Sequence, residues 1–343
     1  MSSRPIAIFG TGLVTSVGMT TAACCCAFRA KITNPFETPF IDSSGAWIMA
    51  HQVNLDRPCT GLTKLVTMAA LAIEEALQDL NRDQWHRLPV LLCVAETERP
   101  GRMVGLDDLL LKQIQSELGV SFAPPSAVVP HGRVGVAVAL AQARTLLGST
   151  KIPGVLIVSA DSLLSWPTLS HYEREDRLLT ESNSNGFMPG EGAGALWVGA
   201  GEGRSPQLLC TGIGFGRESA HIDSGEPLRA EGLTKAVKAS LDDSGRQLHD
   251  MDFRITDNSG EQYYFKEAAL ALSRTLRQRK EAFDIWHPAE CTGEAGAASG
   301  VAVIATAREA CRKGYAPGRN ILTHWANDAG HRAAVTLEFR AAA

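Results

Sequence analysis

Short apolar runs alternate with amphipathic stretches along most of the chain. Residues 5–9 (Pro-Ile-Ala-Ile-Phe) run into Gly10 and Gly12, which predicts a buried strand followed by a glycine turn. Leu65, Met68, Ala69, Ala72, Ile73 and Leu77 share one face of a helix over Leu62–Leu80. A strand at Leu88–Val94 and a helix at Leu106–Leu118 follow. Two later segments, Gly135–Leu147 and Ala295–Ala307, are rich in Ala, Gly and Val and almost uncharged. A helix that is apolar all round must be buried on every side, so these two predict a helical layer between two sheets. Each follows a strand-like or turn segment, Ser126–Pro130 and Phe283–His287. Other elements also come in pairs: Ile6–Gly12 with Leu208–Gly214, and Ala195–Val198 with Ala334–Phe339. The reading is a duplicated α/β architecture with halves at residues 1–203 and 204–343, dividing in a Gly-, Ser- and Pro-containing linker over Gly199–Pro206.

The 343 residues are 45% hydrophobic, enough for a large core, and a net charge of −4 without a basic run argues against nucleic acid. No stretch of about 18 apolar residues exists to span a membrane. The N-terminus imitates an export signal, but Gly10, Thr11, Gly12, Thr15, Ser16 and Gly18 interrupt the apolar run. Eight cysteines show no C-x-x-C pair, which predicts buried thiols in a reducing, cytoplasmic compartment, with no disulfide framework and no metal. Consecutive Cys24, Cys25 and Cys26 on a helix point in three directions and cannot share one tetrahedral ion. Gly10-Thr11-Gly12-Leu13-Val14-Thr15 lacks the third glycine of a dinucleotide fingerprint, so no nucleotide cofactor is expected.

The stretch Asn185-Gly186-Phe187-Met188-Pro189-Gly190-Glu191-Gly192-Ala193-Gly194-Ala195-Leu196 resembles a glycine-rich motif of the β-ketoacyl synthases. Three more segments resemble that family in the same order. They are Thr11–Gly18 at the first strand-turn, Val155–Ser162 at a strand ending in the family's Gly-Gly-Ala-Glu, and Gly293–Gly300 at its Gly-His-x-x-Gly-Ala-Ala-Gly helix start. The resemblance covers nearly the whole chain. It implies a thiolase-like five-layer αβαβα fold of two related halves, and a homodimer joined beside the strand around Ser121–Val129. Glu191 is expected to tie down backbone amides or to sit at the dimer edge.

Condensation in that family needs a thiolate at a helix N-terminus and two neutral donors, usually histidines, for the developing oxyanions. The head of the first buried helix reads His131-Gly132-Arg133, with Gly132 at the cysteine position, and no cysteine lies between Cys93 and Cys210. Thr256 or Asp257 stands at the first histidine position, with Glu267 in the helix that follows, and Glu294 stands at the second. Asp328 replaces an apolar gate residue. A carboxylate at an ordinary pKa near 4 donates no hydrogen bond to an oxyanion.

His131, Asp257, Asn258, Ser259, Glu294, Asn327, Asp328 and His331 are expected to converge. One reading is a new site, with Ser259 or His131 as nucleophile and Asp257 or Glu294 as base. The preferred reading is a filled pocket in which Asp257, Glu294 and Asp328 pair with His131, Arg133 and His331. His171, His249 and His287 are read as surface or structural. The expected function is that of a non-catalytic dimeric binding or adaptor module, accessory to a type VI secretion effector. The alternatives are a chain-length-factor-like partner of an active ketosynthase, or a 3-oxoacyl-ACP synthase-type acyltransferase with altered chemistry.

Overall fold

A computed structural model describes residues 4–149, 152–201 and 206–341. The first half runs β1 (Ile6–Thr15), α1 (Thr21–Ala30), β2 (Phe36–Ile41), β3 (Trp47–Ala50), α2 (Gly61–Ala76), β4 (Pro89–Cys93), α3 (Leu110–Leu118), β5 (Ala123–Val129), α4 (Gly135–Ser149), β6 (Val155–Ser162), α5 (Trp166–Arg174) and β7 (Glu191–Ala200). The second runs β8 (Gln207–Arg217), α6 (Glu231–Ser244), β9 (Phe253–Thr256), α7 (Gln262–Thr275), β10 (Ile285–Trp286), α8 (Ala289–Thr292), α9 (Ala298–Arg312), β11 (Asn320–Ala326) and β12 (His331–Arg340).

The main sheet has the order β10-β9-β11-β12-β8-β1-β7-β6-β4-β5. Reading outward from its middle, β1-β7-β6-β4-β5 and β8-β12-β11-β9-β10 repeat one another. In each half the first strand pairs antiparallel with the last, the last antiparallel with the fourth, and the remaining pairs are parallel. The halves meet where β1 and β8 pair antiparallel, Ile6 opposite Cys210 and Ile8 opposite Leu208. The boundary expected between residues 203 and 204 lies in the segment 202–205, outside the described residues.

Helix α2, with α3 against it, covers one sheet half, α6, with α7 against it, covers the other, and α4 and α9 lie between, each touching strands of both. The sequence explains this layering. Helix α9 is buried along nearly its whole length, as an apolar helix with no solvent face must be. The outer helices bury one stripe each, Leu65, Met68, Ala69, Ala72 and Ile73 in α2 and Leu233, Ala236, Val237 and Leu241 in α6. Glycines on the first strand of each half let these helices sit directly on the sheet. A Cβ on Gly10 or Gly12 would collide with the Ala76 or Ala72 carbonyl of α2, and one on Gly214 would meet the Ala236 carbonyl of α6.

Several expectations shift. Helix α9 starts at Ala298 rather than Ala295, because Gly296 takes a left-handed φ of 56° and the chain turns there before entering the helix. The segment Phe283–His287 keeps only two strand residues. Not all thiols are buried, since Cys24 and Cys25 are covered while Cys26 faces outward. No helix among the described residues is long and apolar enough to cross a membrane.

Candidate functional site

The polar residues singled out in the sequence sit where parallel strands end, the usual location of sites in α/β sheets. Glu96 and Arg99 follow β4, Gly132 and Arg133 follow β5, Asp161 ends β6, Asp257 follows β9, and Asp328 follows β11. Glu294 comes from the turn between α8 and α9, and Arg177 from just beyond α5.

Gly132, expected from the sequence at the cysteine position, has φ +51°, a conformation that side chains rarely adopt. A Cβ there would overlap the Glu96 carboxylate. The side-chain space at Gly132 is therefore occupied by a carboxyl group from a neighbouring strand end, and burial pushes that carboxyl above its ordinary pKa.

Arg133 organises what lies beside it. Its guanidinium donates to Glu294 Oε2 (2.9 Å) and Asp328 Oδ1 (3.0 Å), stands 3.8 Å from Asp257 Oδ2, and lies 4.5 Å from the Tyr264 ring centroid. Arg177 grips Glu261 with two hydrogen bonds (2.7 and 2.9 Å) and Asp328 with two more (2.8 and 3.2 Å). Tyr264 donates to Asp328 at 2.5 Å and Tyr172 at 3.3 Å. Burial works against the charge on Asp328, but Arg177, Arg133 and the Tyr264 hydroxyl hold its carboxyl well below the ordinary range. Arg99 pairs with Asp161, which also accepts the Ala297 amide (2.8 Å) at the head of α9. Outside this group, fully buried Arg332 pairs with Glu267 through Nε at 2.8 and 2.9 Å.

Asp257 is the least satisfied member. One oxygen accepts a long hydrogen bond from the Ala326 amide (3.3 Å), and Oδ1 has no protein partner. Burial pushes its carboxyl up to about 7, with Arg133 opposing. The neighbouring Asn258 Nδ2 is likewise buried without a partner.

Of the two residues expected at the first histidine position, only Asp257 joins the cluster. Thr256 turns the other way, to His287 Nδ1 at 3.0 Å. The expected pairing of His131 and His331 with carboxylates is not formed. Their rings stand edge to face (centroids 6.3 Å apart), and His331 is tied instead to Asn327. Burial and the nearby Arg217 push the His331 imidazole below its ordinary pKa, and a neutral ring is a poor partner for an acid. The carboxylates are matched by arginines, whose planar donors fit two acids at once. Arg177, Arg99, Glu261, Tyr172 and Tyr264 were not foreseen. Glu261 adjoins the Ser259-Gly260 turn, and an unassigned acid there is a signal that it needs a buried base.

Ser259 donates to Glu294 Oε2 (2.9 Å), a carboxylate already engaged by Arg133 and by the Gly296 amide (3.0 Å). With three donors on Glu294 already, Arg133 among them, little of it is left to act as a general base, and among the described residues no imidazole is bonded to this serine. The space left among these side chains is about 20 Å³, room for one water and not for an acyl chain. Glu191 holds the Val53 amide (2.9 Å), Lys64 (2.5 Å) and the Ser162 hydroxyl (2.9 Å), so it ties three segments together.

No family model and no curated protein sequence matches the chain. Solved structures do. The chain superposes on the ishigamide ketosynthase/chain length factor with TM-score 0.78 and 17% identity, over 99% of its length and 100% of that chain. A β-ketoacyl synthase from Burkholderia phymatum STM815 gives 0.76 and 13%, over 98% and 100%. A chain of the ketosynthase ApeO–chain length factor ApeC complex from Xenorhabdus doucetiae gives 0.76 and 10%, over 98% of both. The fold is thus the thiolase-type α/β fold of ketosynthases and chain length factors. On that fold, this chain carries an arginine–carboxylate cluster at the end of β5.

Proposed function

We propose that this chain is a non-catalytic subunit of chain-length-factor type, which acts by pairing with a second thiolase-fold chain rather than by acyl transfer of its own. The observation that carries the reading is Gly132, whose side-chain space is filled by Glu96. The adjoining cluster supports it, since Arg133 and Arg177 commit the acids nearby. The neighbours add support, because two of those named above are ketosynthase/chain length factor assemblies. None of the three is a secretion protein, and the adaptor role beside a secretion effector has no comparable support.

The test has two arms. Incubation with malonyl- and acetyl-loaded carrier protein, followed by intact-mass spectrometry, is expected to leave the protein unmodified and to yield no condensation product. Co-expression with a ketosynthase from its own genome is expected to give a 1:1 complex by light scattering. A stable acyl adduct on any residue overturns the proposal.

A further inference from the structure

A second cavity shares no lining residue with the arginine cluster. It measures about 310 Å³ and lies between α1, the edge strand β10, α8 and the end of α9. That size is at the lower end of the range for small-molecule sites. Its apolar lining includes Phe28, Ile285, Trp286, Pro288 and Tyr315, three of them aromatic, beside the polar Thr306 and His287. The Trp286 and Tyr315 rings lie 6.2 Å apart at an interplanar angle of 22°, and Phe253 backs Trp286 at 4.7 Å.

The rim is basic. Arg29 lies over the Tyr315 ring, 4.6 Å from its centroid, and no ion pair among the described residues includes it. Lys31 reaches Glu290 at 3.3 Å, but both side chains are largely exposed, so that pair is weak and exchangeable. Glu309, which acts electrostatically on Cys25 and Tyr315, is paired with Lys313 at 3.2 Å. Two cations and one acid therefore face the opening.

We propose that this cavity binds a one- or two-ring aromatic carboxylate, its ring against Phe28 and Trp286 and its anion at Arg29 and Lys31. Flat aromatic walls favour a ring over a branched apolar group, and a guanidinium free of acids matches a carboxylate in two-point fashion. Binding is non-covalent. Burial pushes the Cys25 thiol up, so it stays protonated, and burial pushes His287 down, so it stays neutral.

Calorimetric titration of the full chain with 2-naphthoate, and with neutral 2-naphthamide, tests this. Saturable 1:1 binding of naphthoate is expected with Kd below about 1 mM. Arg29→Gln, at an exposed position, is expected to weaken naphthoate about five-fold while leaving naphthamide unchanged. Ile285→Trp, which fills the cavity, is expected to abolish both. Absence of saturation in the unmodified protein overturns the proposal. So does equal naphthoate affinity in Arg29→Gln, which would leave Arg29 serving only the negative end of α1. Undiminished binding to a folded Ile285→Trp also overturns it. None of these outcomes touches Gly132 or Glu96, so the proposed function stands or falls separately.

Discussion

Replacing Arg133 by alanine removes the cation that bridges Glu294 and Asp328 and stands nearest Asp257. The loss is not shared evenly. Asp328 keeps Arg177 and two tyrosine hydroxyls, and Glu294 keeps Ser259 and the Gly296 amide. Asp257 keeps only the Ala326 amide. Removing one partner of a buried pair costs roughly 3–5 kcal/mol, and the retained contacts on Asp328 argue for the middle of that range, about 4 kcal/mol at pH 8. For a chain of this size that lowers Tm by about 5–6 °C. The pH dependence has a definite sign. Burial already raises Asp257 and Glu294 above their ordinary values, and loss of Arg133 raises them further. The folded variant then holds protons that the unfolded chain has released above about pH 4, so its deficit grows as pH rises. Differential scanning calorimetry at pH 5.5 and pH 8 reads both effects. A Tm unchanged within about 1 °C, together with loss of a measurable ligand-binding or hydrolytic activity, would refute the structural reading and make the cluster a working site.

Three further outcomes are expected. Asp257→Asn should match the unmodified protein near pH 4 and exceed its stability by at least about 1 kcal/mol at pH 8, because a carboxyl raised from 3.8 to about 7 destabilises the fold progressively across that window. A stability difference that stays constant with pH in denaturant titrations contradicts this. Gly132→Cys should lower stability by at least about 1–2 kcal/mol through its left-handed backbone, and should not acquire an acyl group by intact mass even when combined with Glu96→Ala, since Arg133 still holds Glu294 and no imidazole stands at 257 or 294. The end strand β5, paired only with β4 among the described residues and partly exposed, should be covered by a second copy when the protein is isolated without a ketosynthase partner. Light scattering at micromolar concentration would then give a dimer, and a monomer would sink that expectation.

Legibility from sequence followed the strength of local signals. The two uncharged helices and the glycine-rich strand starts announced the layers, because a buried helix and a close strand–helix contact each demand a particular composition. Strand and helix ends were less legible: β7 and β12 extend beyond the apolar runs Ala195–Val198 and Ala334–Phe339. Loop residues such as Glu191 and His331 enter the ladder because a neighbouring strand is there to pair with. The acids at 257, 294 and 328 stand out in the sequence because the resemblance implies another residue type at each of those positions. Arg177, Arg99 and Glu261 replace nothing recognisable, and only the fold brings them within 3 Å of partners more than 60 residues away. The histidines misled because a charged base was assumed, and burial leaves His331 neutral.

The inner helices α4 and α9 belong to neither half, since each packs on strands of both. Peeling one half from the other would expose Val136, Leu140, Val301 and Ile304 together, side chains that are fully buried in the shared core. An intermediate with one half formed and one open therefore gains little, and the chain should open as one cooperative unit. In hydrogen–deuterium exchange, the amides of α4 and α9 should be the slowest in the molecule and should exchange at matching rates, although the whole stretch between Ser149 and Ala298 separates the two helices.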